Sequence, residues 1–179
     1  LRYKIMPREI YYHRKDLSSA TETTFFDESR AEATNKEIDT NMPMQYKVGK
    51  NVTIKKIVVQ LPTVVASSST AADTSVLDNL KTIIEEGVIV VQVGDGRYYY
   101  LPLAYALPKS QVSAVAQYTQ GTAADGTYVV ASAQSITDGY GLDVDIPWGA
   151  EDELKFTIKT KTAVTLSNVK VILECEVAA

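Results

Sequence analysis

Histidine and cysteine occur once each in the 179 residues, as His13 and Cys175. A lone cysteine excludes an internal disulfide, and with it the small secreted scaffold held by staples. One His and one Cys cannot make a structural zinc site. Long apolar runs are missing too. The stretch VIVV at 88–91 is far short of the 18 or so residues a membrane helix needs. The opening LRYKIMPREIYYHRK has no long apolar segment, so no secretory signal is expected there. Basic charge is not in excess: a net charge of -4 gives no electrostatic reason to expect direct binding of nucleic acid.

What is present is ordinary soluble composition, 45% hydrophobic and 22% charged. A chain of this length forms a core without staples, and one domain is the simplest division. Two parts are expected within it. Residues 1–49 read as an N-terminal arm and an irregular segment packed on a barrel, and residues 50–179 read as the antiparallel β-barrel itself. In the arm, Tyr3 and Ile5, then Ile10 and Tyr12, alternate as in an extended strand interrupted at Pro7. Residues 15–49 are polar with isolated apolar positions. An ordered loop draped on a sheet and partial disorder both fit them.

Alternation becomes strong at NVTIKKIVVQL (51–61), where Val52 and Ile54 share one parity and Ile57, Val59 and Leu61 the other. A β-bulge at Lys55-Lys56 would return all five to one face. Residues 75–86 form the one helical stripe, with Val76, Leu77, Leu80, Ile83 and Ile84 at helical spacing. Thr74 or Ser75 is expected to cap it, and Gly87 to stop it in a left-handed conformation. Further on, Val112, Ala114, Ala116 and Tyr118 alternate, GTAADGT reads as a turn, and 128–133 resumes as a strand. Leu142 to Trp148, Leu154 to Ile158 and Val169 to Val177 alternate most clearly of all. About eight strands, one inserted helix and no βαβ rhythm indicate an all-β fold, with a single jelly-roll β-barrel or sandwich the leading candidate.

The segment VIVVQVGDGRYYYLPL (88–103) reads as a hairpin with Gly94-Asp95-Gly96 as its loop. Val93 should then oppose Arg97, Val91 Tyr99, and Ile89 Leu101, leaving Val88, Val90, Tyr98 and Tyr100 on the second face. Both faces are apolar. Either the helix covers the second face or another molecule does. Tyrosine, with 11 copies, is the enriched aromatic. Tyr11, Tyr12, Val88, Val90, Tyr98 and Tyr100 are therefore the candidate interface, with a sugar platform and a protein contact as the two uses.

Catalytic sets are scarce. His13 lies in a basic stretch of an irregular arm and is expected to be an ordinary surface or interface residue, since a triad needs a base held by packing. Cys175, between Leu173 and Val177, is expected to be a buried, inert thiol. Asp143, Asp145 and the run Glu151-Asp152-Glu153 offer oxygen ligands for calcium if a loop gathers them, but alternating aspartates on a strand's outer face are more often simply solvated. The glycines of VGDGR precede no helix and make no phosphate loop. No catalytic residue, metal or cofactor is assigned.

Three features together resemble the small single jelly-roll coat proteins of tailless icosahedral phages with an internal membrane. They are the extended arm followed by TNMPMQYKVGKNVTIKKIVVQLP, the helix-then-hairpin unit SVLDNLKTIIEEGVIVVQVGDGRYYYLPL, and the run of alternating strands to the end. The resemblance implies a non-enzymatic virion subunit that tiles with copies of itself, with a second coat protein and the internal membrane as further contacts. A carbohydrate- or receptor-binding β-sandwich of a spike or fibre is the alternative. A hydrolase resting on His13, Asp143 and Asp145 is a third.

Overall fold

The computed structural model of the chain describes residues 7–62, 65–66, 71–118, 126–135 and 141–178. Among them are the strands β1 (Arg8–Phe25), β2 (Val52–Gln60) and β3 (Val65–Ala66), the helix α1 (Ala71–Glu86), and the hairpin β4 (Val88–Val93) and β5 (Arg97–Pro102). Strands β6 (Lys109–Tyr118), β7 (Gly126–Ser135), β8 (Leu142–Trp148) and β9 (Leu154–Val177) follow, with 3-10 turns at Lys36–Ile38 and Leu103–Ala106. The protein is all-β, with one α-helix among the described residues. Its larger sheet is antiparallel and runs β5-β4-β9-β2-β8, with β1 also paired to β9; β3, β7 and β6 form a smaller sheet. The turn expected between β6 and β7 lies outside the described residues.

Strand β9 organises the larger sheet. Residues 154–159 pair with β4, residues 170–177 pair with β2, and β1 runs along the whole ribbon from Phe25 opposite Phe156 to Arg8 opposite Glu176. Two half-sheets therefore share one two-stranded ribbon. Between them the register slips, on either side of Leu17 and again after Ala20. Ser19 and Asn168 sit there in the left-handed region, at φ +49° and +56°. Each slip is satisfied locally: the Asn168 N–H donates to Asp16 Oδ1 at 2.8 Å, and the Ser19 N–H to Thr165 Oγ1 at 3.1 Å. Bulges bend a strand and add twist, so the ribbon curls and both half-sheets face one core. Phe25 and Phe26 pack edge-on against Phe156, and Tyr11 edge-on against Trp148.

The bulge expected in β2 is present. Ile54 pairs with Cys175 and Lys56 with Glu174, so two β2 residues advance against one of β9. Val52, Ile54, Ile57, Val59 and Leu61 are all buried as a result. The hairpin register is also as expected, with Val93–Arg97, Val91–Tyr99 and Ile89–Leu101 opposed. Gly94 takes the positive φ, +60°, that the short loop requires.

Helix α1 begins at Ala71, a turn earlier than its stripe suggests, because Ala71 and Ala72 are the strongest of helix formers. Leu80 and Ile83 are buried while Ile84 is exposed; the side chains of Val76 and Leu77 fall outside the described residues. The helix packs on β9, where Glu86 accepts the Thr162 N–H at 2.9 Å and Asn79 the Thr165 N–H at 3.1 Å. Gly87 does not end it in a left-handed turn. Glycine is needed there for space, since a Cβ would stand 2.2 Å from the Ile83 carbonyl oxygen and 3.0 Å from Leu103.

From Arg8 the N-terminal segment is an 18-residue strand of the larger sheet. Residues 26–50 then return along its outer edge as an ordered loop. The Asn41 side chain accepts the Tyr12 N–H at 2.9 Å and donates to the Ile10 carbonyl at 2.7 Å, while Thr40 Oγ1 donates to the Tyr12 carbonyl. The Arg14 N–H donates to the Asp39 carbonyl at 2.7 Å. This changes the reading of His13. It faces the core at 1% exposure, and its Nδ1 accepts the Phe26 N–H at 2.7 Å. Acceptance at Nδ1 places the proton of the neutral ring on Nε2, toward Glu28. Burial pushes the imidazole pKa down to about 4 against the opposing pull of Asp27.

Candidate interface

The ladders place the expected interface residues row by row. On the outer face of the half-sheet β5-β4-β9-β1, Tyr98 lies beside Gln92 and Lys155. The next row is Tyr100, Val90, Thr157 and Thr24, and the third is Pro102, Val88, Lys159 and Glu22. The face thus grades from aromatic at β5 to polar at β1, where the two threonine hydroxyls meet at 3.3 Å and Lys159 pairs with Glu22 at 3.3 Å. Tyr98 and Tyr100, two residues apart on one strand, stack with centroids 6.5 Å apart and planes 13° from parallel. They are 52% and 69% exposed, and Val88 38%. Val90 is half-buried between them. Because α1 packs on β9, it leaves these tyrosines uncovered. Tyr105, just past β5, is equally open.

The other two candidates are not on this face. Tyr11 is in the core, its hydroxyl donating to Glu9; burial, with that carboxylate, pushes its pKa up. Tyr12 donates to the Glu37 carbonyl, and its ring stands under the Lys170 ammonium at 5.4 Å. Both are occupied within the chain. Gln92 and Lys155 complete the face instead, with Thr157 buried beneath it against Thr24. Extending the hairpin register to the strand at 154–158 would have found them, but which strand lies beside β4 is not written in the sequence.

Cys175 is buried as expected, its thiol pushed up to about 12 chiefly by burial. Asp145 pairs with Lys55 at 2.6 Å and Asp143 with Lys56 at 3.8 Å. Among the described residues no three His, Cys, Asp or Glu side chains gather to hold an ion. The carboxylates near His13 are Asp27 and Glu28, not Asp143 or Asp145. At the hairpin loop, a polar cleft of about 320 Å³ opens between Gln92, Asp95, Glu151 and Lys155.

Fold and face together define an all-β protein presenting a tyrosine-edged sheet surface. Set against family models, curated proteins and solved structures, the chain matches none.

Proposed function

We propose that this chain is a non-enzymatic structural subunit that assembles with copies of itself, a jelly-roll coat subunit of a virion. One observation carries the reading: Tyr98, Tyr100 and Val88 stand open on a face whose backing, Ile89, Val91 and Phe156, is fully buried. Isolated exposed apolar residues are normal, but a contiguous row marks a contact surface. Aromatic residues with one polar end suit a surface that is wet before assembly and dry after it. A standard interface hides roughly 800 Å² on each partner. Sedimentation velocity over a wide concentration range tests the assembly, with concentration-dependent oligomers expected. A strict monomer at the highest concentration overturns it. Electron microscopy of the source material tests the virion, where shells containing this chain are expected.

A second reading is favoured by the stacked Tyr98–Tyr100 pair standing near the polar cleft at the hairpin loop: a carbohydrate- or receptor-binding spike or fibre domain. Stacked rings can carry a sugar, with Gln92 and Asp95 as hydrogen-bonding neighbours. Binding on a glycan array that is lost in Tyr100→Ser would favour it; no binding across the array removes it.

A further inference from the structure

The edges of the larger sheet are treated differently. From Ile10 to Arg14 the outer edge of β1 is closed by Asp39, Thr40 and Asn41. Strand β8 carries the exposed charges Asp143 and Asp145, has Pro147 within it, and slips register against β2. Charges, proline and irregular register are the usual devices that keep a sheet edge from pairing. Strand β5 has almost none of them. Its six residues run in unbroken register, proline comes only last, and its one charge, Arg97, is tied to Asp152 at 2.8 Å.

Which groups β5 leaves open follows from the ladder. The Leu103 N–H donates to the Gly87 carbonyl at 2.9 Å. Pairs two residues apart are of the same kind, so Leu101, Tyr99 and Arg97 also bond inward to β4. The N–H and C=O groups of Tyr98 and Tyr100 therefore point away from the sheet.

We propose that β5 pairs antiparallel with β5 of a second copy about a two-fold axis through Tyr99. The proposal rests on the self-assembly reading and specifies its contact. In this register Tyr98 opposes Tyr100 of the second copy, and the reverse. Four hydrogen bonds form, and they use every outward N–H and C=O of both tyrosines. A register centred on Tyr100 instead sets the second copy's Pro102, which has no N–H, against the Tyr98 carbonyl. With Arg97 neutralised by Asp152, no like charges meet along the seam. Gly96 has open space around it, so the neighbouring strand end can pass. The outer faces join into one surface, with four tyrosines in its centre.

Register-specific cross-linking tests this. Tyr98→Cys and Tyr100→Cys proteins are mixed under mild oxidation, since directly opposed Cα atoms in such a pair stand about 5.5 Å apart, within disulfide reach. The expected result is a mixed disulfide forming at least about tenfold faster than the homodimer of either variant. Tyr100→Pro, which removes an outward N–H together with the Tyr100 ring and spares the hairpin ladder, should weaken association about tenfold or more, and by more than Tyr100→Ser, which removes the ring but keeps the N–H. Wild-type association without the mixed disulfide overturns the β5 pairing and leaves self-assembly standing. A strictly monomeric wild type overturns both.

Discussion

The two half-sheets that share β1 and β9 rest on the same core, yet their outer faces differ. Around β4 and β5 the outer face carries valine and tyrosine, open to solvent. Around β2 and β8 it carries lysine against aspartate, Lys55 with Asp145 and Lys56 with Asp143. Support from below does not explain this, because both halves are backed by fully buried aliphatic residues. Exposed ion pairs add little to stability, so the charged face is better understood as one kept wet. The contrast is one of chemistry: one half presents paired charges to water, the other uncovered tyrosine and valine, and the proposed assembly uses the second.

The largest test of the comparison is whether the halves truly share a core. Phe156→Ala removes the ring that meets Phe25 and Phe26 and should cost about 3–5 kcal/mol. One thermal transition, shifted down, is expected; two transitions would show that the halves stand separately. Acid comes next. With His13 near 4 in the fold and about 6.5 unfolded, the unfolded chain binds more protons between those values. Stability is thus full above pH 6.5 and falls as the pH drops toward 4, by roughly 3 kcal/mol from this group. Chemical denaturation across that range should show the fall, and His13→Gln should flatten it. Asn41→Ala opens the guarded edge by stripping partners from the Tyr12 N–H and the Ile10 carbonyl. A loss of about 1–2 kcal/mol in urea unfolding is expected. Smallest is the wet face itself: Lys55→Ala should move the melting temperature by no more than about 2 °C and leave association untouched. Tyr98→Ser, equally mild for folding, should weaken association.

Local pairing was legible in the sequence because half-buried strands write their burial every second residue. That is why the bulge in β2 and the hairpin register could be placed in advance. Continuity across irregularities was not legible. The apolar positions of β9 fall on even numbers through Leu166 and on odd numbers from Val169, so one 24-residue strand reads as two. The flip is the bulge at Asn168. The second half of β1, SSATETTF, hides for a related reason: its slips break the period, and its outer residues are small and polar. His13 looked superficial because charged neighbours surround it in sequence, but alternation sends Arg14 outward and His13 in. Strand order lay beyond reach altogether, since β9 pairs with three strands, β1, β2 and β4, through contacts that no local pattern encodes. The exposed hairpin face was visible from composition; the open backbone edge beside it appeared only with the ladder.

The ribbon has a temporal consequence. Arg8 is paired with Glu176, and every strand of the larger sheet except β5 and β8 bonds directly to β9. During synthesis β1, β2 and β4 must therefore wait, unpartnered on that side, until β9 leaves the ribosome. Loop closure over such separations is slow, and through that interval the nascent sheet keeps open sides on β1, β2 and β4 in need of shelter.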